Sequence, residues 1–164
     1  MADMSNIFMT VKGVTGEATA NNFAGWIRID SFSIGASNPV SVNAGSGGLS
    51  GGTPTLSSFN VAKSTDKSSC DLFKGLTKGT HFATANVCCL KSGTDGQIYL
   101  QYDFTDVMCE SIQWAGSGGS ADTASESASF AYAQVQVTYF QQDDKGNMSK
   151  AGTTMYNVLT QQTS

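Results

Sequence analysis

Charge is the scarce commodity in this chain. Only 13% of its 164 residues are Asp, Glu, Lys or Arg, against roughly 25% in an average soluble protein. The formal net charge of -4 excludes nucleic acid as a partner, because binding it demands a basic stripe. No apolar run approaches the length of a membrane span, so membrane insertion is not expected. The start, Met1-Ala2-Asp3-Met4-Ser5, is acidic and has no apolar stretch, unlike a secretory signal peptide. Cytoplasmic synthesis is the expectation, with any export proceeding without a cleaved signal. Histidine is limited to His81, and no G-x-S-x-G elbow, H-E-x-x-H pair or Walker motif is present. Gly45-Ser46-Gly47-Gly48 and Gly116-Ser117-Gly118-Gly119 do not lead into a helix bearing Lys-Ser/Thr. Asp143-Asp144-Lys145-Gly146-Asn147 lacks the distal glutamate of a calcium loop. Nothing assembles an acid, base, nucleophile or metal, so we expect no enzyme, no cofactor and no metal.

What is present is polarity without charge, from Gly, Ser, Thr, Asn and Gln. Such a surface resists little when it meets another copy of itself, which favours assembly. Short alternating segments separated by turn clusters predict an all-β protein, and the length fits one domain, residues 1–164. Three long strands change phase midway. Phe130 and Tyr132 share one parity while Val135, Val137 and Tyr139 share the other, placing a bulge or bend near Ala133–Gln134. Trp26 to Ile34 switches between Ile27/Ile29 and Phe32/Ile34. The strand from Ile98 switches between Leu100/Tyr102/Phe104 and Val107/Cys109. Such switches suit a small closed barrel or an orthogonal sandwich, whose strands turn corners between sheets.

One helix, over about 66–78, interrupts the strands. Ser68 or Asp66 can cap it, Asp71 complements its N-terminus, Leu72, Phe73 and Leu76 form its apolar stripe, and Gly79 stops it. The segment Ala36 to Pro54 is an extended loop longer than compact domains usually carry. Val40, Val42 and Leu49 mark it as an arm for a partner rather than a spacer, and Gly47, Gly48, Gly51 and Gly52 let it swing. Cys88 and Cys89 are neighbours on a strand and face opposite ways, so with Cys70 and Cys109 they read as small thiols. An inter-sheet disulfide after export is the alternative. Ser31 and Ser33 lie opposite Phe32 and Ile34, on a polar face that looks at solvent or a channel.

The stretch from Glu126, E-x-x-S-F-x-Y-x-x-[hydrophobic]-x-V-x-Y followed by Q-x-D-x-x-G, resembles the signature of Hcp, the tube protein of bacterial type VI secretion systems. Gly25-Trp26-Ile27-Arg28-Ile29-Asp30-Ser31-Phe32-Ser33-Ile34-Gly35 is similar to its G-W-I strand. Thr65-Asp66-Lys67-Ser68-Ser69 with Leu72-Phe73 is similar to its D-K-x-S-x-x-L-F helix start. Tyr99-Leu100 through Asp106-Val107 is similar to a further strand motif. Phe23-Ala24 stands where a charged pair is common, a departure expected to touch a subunit contact, and Cys70 stands where proline is frequent.

The resemblance implies a head-to-tail homohexameric ring and rings stacked into a tube within a contractile sheath. It further implies a spike protein at the tip, secretion, and a lumen that carries small effectors. It makes Val40, Val42, Gly47, Gly48 and Leu49 the inter-ring loop. Ser31 and Ser33 become candidates for a cargo-touching lumen pair. The rival reading is a carbohydrate-binding β-sandwich or adhesin using Trp26 and Trp114; a small hydrolase is weaker.

Overall fold

Period-two alternation becomes strand almost wherever it occurs in the computed structural model, which describes residues 6–92, 96–119 and 123–164. The acidic start, Met1 to Ser5, lies outside the described residues. In chain order the elements are β1 (Ile7–Val11), β2 (Ile27–Arg28), β3 (Ser31–Ser33), β4 (Ala36–Ser37), β5 (Val40–Asn43), β6 (Gly48–Gly51), β7 (Thr55–Leu56) and β8 (Phe59–Ser64). The helix α1 (Ser68–Lys78) follows, then β9 (Phe82–Leu90), β10 (Ile98–Ala115), β11 (Ser125–Gln142), β12 (Met148–Asn157) and β13 (Gln162–Thr163).

The main sheet runs β13-β12-β11-β10-β9-β1-β2, with β8 joined to β11 and β3 to β8. This strand order does not close on itself, so the expectation of a closed barrel is corrected to a mostly-β fold with one helix. A short bridge links the β1–β2 end of this path to the β8–β3 branch. Ile29 donates its N–H to the Ile7 carbonyl (3.0 Å), while Asp30 donates to Ala62 (2.8 Å). The Trp26–Ile34 stretch is therefore two short strands with different partners, and its phase switch marks the handover.

The other two switches meet across one ladder. In β11, Phe130 and Val135 are both buried on opposite parities, as are Phe104 and Val107 in β10. The register Thr105↔Gln134 and Val107↔Tyr132 carries straight through, leaving the facing pair Asp106 and Ala133 unpaired. The distortion belongs to Asp106, whose φ is 54°, an uncommon conformation that Asp tolerates better than most residues. Of the bulge or bend expected near Ala133–Gln134, the structure has the bend, with the strained residue on the partner strand. The register shifts lie between Cys109 and Ser111, where β11 meets β12 between Tyr139 and Phe140, and where β10 meets β9 between Ile98 and Leu100.

Beneath the bend, Phe59, Phe104 and Tyr132 form an aromatic chain with centroids 4.9 Å apart at each step. A second cluster lies on the far side of β1 and β9, where residues 14–26 fold back over Phe8, Cys88 and Leu90. Gly16 permits this: a Cβ there would sit 2.3 Å from the Trp26 carbonyl oxygen. Phe23 stacks on Phe8 at 4.8 Å and is buried. Phe23 therefore packs inside its own chain, while its neighbour Ala24 stays exposed.

The two most buried charges also meet here. Lys63 of β8 pairs with Glu126 of β11, both almost wholly inaccessible. Lys63 Nζ also donates to the Ser64 carbonyl, Asp66 Oδ1 and Ser69 Oγ, each at 3.1 Å. Ser69 Oγ donates to Glu126 Oε2 at 2.9 Å and accepts the Asp66 N–H at 3.0 Å. Asp66 Oδ1 accepts the Ser68 N–H at 2.9 Å, so Asp66 is the cap and α1 begins two residues after the expected start. The helix ends at Gly79, φ 66°, with Thr80 N–H donating back to Gly75 (2.9 Å), a left-handed C-terminal stop. The ion pair thus bolts the start of α1 to two strands.

Removing one member of a buried pair leaves an uncompensated charge, a loss of about 3–5 kcal/mol. Lys63→Met or Glu126→Leu should each lower urea stability by that order at fixed protein concentration. The double substitution should recover most of the loss, and equal losses for single and double variants would show the pair is not coupled.

The four cysteines are free thiols; Cys70 is exposed and the others are buried. Burial pushes Cys88 up to about 12, with the Asp103 charge adding to it, and Cys89 and Cys109 up to about 11. A thiol whose folded pKa is raised stabilises the fold fully below its unfolded value of 9.0, and that contribution fades as pH rises toward 11–12. Native alkylation at neutral pH should therefore label one thiol, Cys70, and melting temperature should begin to fall above about pH 9. Labelling of Cys88 without unfolding would contradict this arrangement.

Candidate interaction surfaces

The segment expected to be a loop is a two-stage β-hairpin. Near its base β4 pairs with β7, and beyond it β5 pairs with β6 through Val40↔Gly51, Ser41↔Ser50, Val42↔Leu49 and Asn43↔Gly48. At the tip Asn43 accepts N–H groups from Gly45 at its side chain (3.2 Å) and Gly47 at its carbonyl (2.9 Å). Gly47 takes a φ of 66° there, which favours glycine. Between the stages, Gly52 donates to the Pro39 carbonyl (2.9 Å) and Asn38 Oδ1 (2.8 Å). A Cβ on Gly52 would lie 2.7 Å from Pro39 Cγ. Close backbone approach, rather than free swinging, is what Gly52 supplies.

Strand alternation divides this arm into two faces. Ser41 and Ser50 hydrogen-bond through their hydroxyls at 2.7 Å on one side. Val40, Val42 and Leu49 form a stripe on the other, 58%, 75% and 74% exposed. From Ser31 to Ala62 the chain carries no charged residue at all. The arm can offer a partner no charge, only shape, apolar contacts and uncharged hydrogen bonds.

Ser31 and Ser33 are exposed, as expected of their parity. The register carries them across three strands. Ser31 pairs with Ala62, which pairs with Ser127, and Ser33 pairs with Asn60, which pairs with Ser129. Together they line a shallow depression, with Ser129 Oγ donating to Asn60 Oδ1. The sequence reading missed Asn60, Ser127 and Ser129, although serines at 125, 127 and 129 already alternate with buried Glu126 and Ala128. The face is small, hydroxylated and uncharged, suited to weak, reversible contacts.

Other features bring no chemistry together. His81 Nδ1 lies 2.8 Å from Asp106 Oδ1 in an exposed pair that braces the left-handed residue of β10. Asp143 Oδ1 accepts the Lys145 (2.9 Å) and Asn147 (2.8 Å) N–H groups. Those bonds, the Asn147 one foremost, hold its carboxyl below the usual range, and its side chain closes a hairpin turn. Among the described residues no three of His, Cys, Asp and Glu gather where a metal ion could be held. No described helix is long and apolar enough to cross a membrane. Trp26 packs edge-on against Phe23 in the second cluster, and Trp114 against Phe73 of α1, so the two tryptophans serve different neighbourhoods.

Residues 8–139 match the family model described as type VI secretion system effector, Hcp. Over 95 residues the chain is 33% identical to protein hcp1 of Pseudomonas aeruginosa, a match spanning 57% of each protein. A solved structure described as a type six secretion system protein superposes with a TM-score of 0.91 at 28% identity, covering 96% of this chain and 98% of that one. The crystal structure of Hcp1 from Salmonella typhimurium shares the fold, with a TM-score of 0.76 at 22% identity over 96% and 97% of the two chains. Most of the chain thus matches one family model, and the chain belongs to the Hcp family of type VI secretion proteins.

Proposed function

We propose that this chain is the tube subunit of a type VI secretion system. One domain assembles head to tail with copies of itself into a ring, six-fold by the family resemblance. Rings stack into a tube that a contractile sheath expels, with a spike protein at its tip and small effectors in its lumen. The chain is secreted as part of that tube. Its work is mechanical rather than catalytic. Rotation closes a heterologous interface into a ring, and translation along the axis repeats it without limit.

The observation that carries this reading is the arm. Val40, Val42 and Leu49 stand exposed on a folded ribbon that has no charge and no core of its own. Burying each aliphatic would contribute about 1.5–3 kcal/mol before ordering costs. One arm is a weak contact, but several engaging together around a ring make a firm one. The face holding Ser31, Ser33, Asn60, Ser127 and Ser129 is assigned to the lumen, where small hydroxyls hold varied cargo and let it go.

Light scattering with negative-stain microscopy should show uniform rings without added cofactor; monomers at all micromolar concentrations would sink the proposal. Replacing Val40, Val42 and Leu49 with Ser should leave single rings while shortening tubes and reducing secretion. Loss of the rings themselves, or normal secretion, would remove the arm from ring-on-ring contact. Ser31→Gln and Ser33→Gln should preserve rings yet lower retention of a co-produced effector, whereas unchanged effector levels would return these serines to the outer surface.

A further inference from the structure

An arm that projects from one copy needs a receptor on the next, and the apolar surface of this chain offers few. Outside the arm, the large exposed hydrophobic residues among those described are Phe73, Trp114, Tyr139, Val158 and Leu159. Phe73 and Trp114 already pack on each other, centroids 5.4 Å apart, and exposed Asp71 and Lys74 lie beside Phe73 on the helix. Val158 and Leu159 lie in the turn after β12, a projection rather than a recess.

Tyr139 is different. It lines a groove of about 510 Å³ together with Val137, Ala151, Gly152, Thr153 and Thr154, none of them charged. The groove is where the core emerges at the surface. Val135 is fully within the main core and Val137 packs against it, while Tyr139, on the same parity, is half exposed. Across the sheet, Leu100, Tyr139 and Gly152 form one row, and Tyr102, Val137 and Thr154 form the next. Gly152 opens a notch in the first row, because a Cβ there would meet nothing within 4 Å. The bulge at Ala151, where the β11–β12 register shifts, widens the groove further.

We propose that this groove receives the arm of a second copy, with Leu49 and Val42 seated against Tyr139 and Gly152 and Val40 against Val137 and Thr154. Both surfaces are uncharged, so neither leaves an unpaired charge when buried. Both present two rows two residues apart, a separation of roughly 6.6 Å set by strand geometry. The arm carries the bulk and the groove lacks it at Gly152. The contact gives ring stacking its register, and it rests on the arm being the inter-ring element.

Gly152→Leu fills the notch and Gly152→Ala half fills it, in space the subunit leaves open. Both should melt like the parent, keep single rings and reduce mean tube length at least tenfold for Leu, as Leu49→Ser does. Leu49→Ala should partly restore the length of Gly152→Leu tubes. In a Cys70→Ser background, Leu49→Cys with Gly152→Cys should give disulfide-linked copies on mild oxidation, which neither single cysteine gives. If Leu49→Ser shortens tubes but both Gly152 variants stack normally and no cross-link forms, the groove is overturned while the arm keeps its role. If the Gly152 variants lose rings that Leu49→Ser retains, the groove closes rings and the inference is likewise overturned. Normal stacking by Leu49→Ser would overturn the arm reading and this inference with it.

Discussion

The architecture depends on one strand pair that must serve two neighbours. β11 keeps β10 on one edge from Ser125 to Tyr139, while its other edge takes β8 over Ser125–Phe130 and β12 over Gln134–Gln142. A straight strand has its side chains on two fixed faces, so it cannot turn its apolar set from one core wall to another. The bend across Asp106 and Ala133 solves this without inserting a residue. Phe130 and Val135 can both point inward on opposite parities, and the register is the same immediately on either side of the bend.

Each surface of interest follows from that bend. Before it, β3, β8 and β11 present the hydroxyl face around Ser31, Ser33 and Ser129 to solvent, because Val61, Ala128 and Phe130 fill the inner side. Beyond it, β11 and β12 carry the inner parity past the edge of the core, and Val137 and Tyr139 emerge in a groove. The buried Lys63–Glu126 pair sits on the early half, where it fixes α1 to β8 and β11 through Ser69 and Asp66. A charge pair at that depth brings little net stability over an apolar pair, but breaking it leaves an unpaired charge. It therefore penalises any other placement of the helix start.

A protein with so little charge also has few means of refusing contact with itself. The chain concentrates that tendency. The stretch from Ser31 to Ala62 has no charge, and within it Val40, Val42 and Leu49 are gathered on one face of a paired ribbon. Pairing β5 to β6 satisfies one edge of each strand and fixes which side chains share a face, so the ribbon presents a defined apolar stripe to its partner. That is the physical difference between a specific docking element and an aggregation site.

Properties of neighbouring residues were legible in the chain. The phase switches, the Asp66 cap, the Gly79 stop, the Asp143 turn and the opposed faces of Cys88 and Cys89 all follow from strand period or from side chains reaching a backbone group a few residues away. So did the four motifs that mark the family. Only the tertiary structure decided which edge each switched strand was handed to, because pairing preferences of one strand do not name its partner. It also decided that the sheet path stays open, that Ala36–Pro54 pairs with itself, that Phe23 is an interior residue, and that Lys63 meets Glu126 across 63 positions of chain. The groove at Tyr139 and Gly152 was invisible for the same reason: its lining comes from two strands, and its shape depends on a side chain that is missing opposite one that is large.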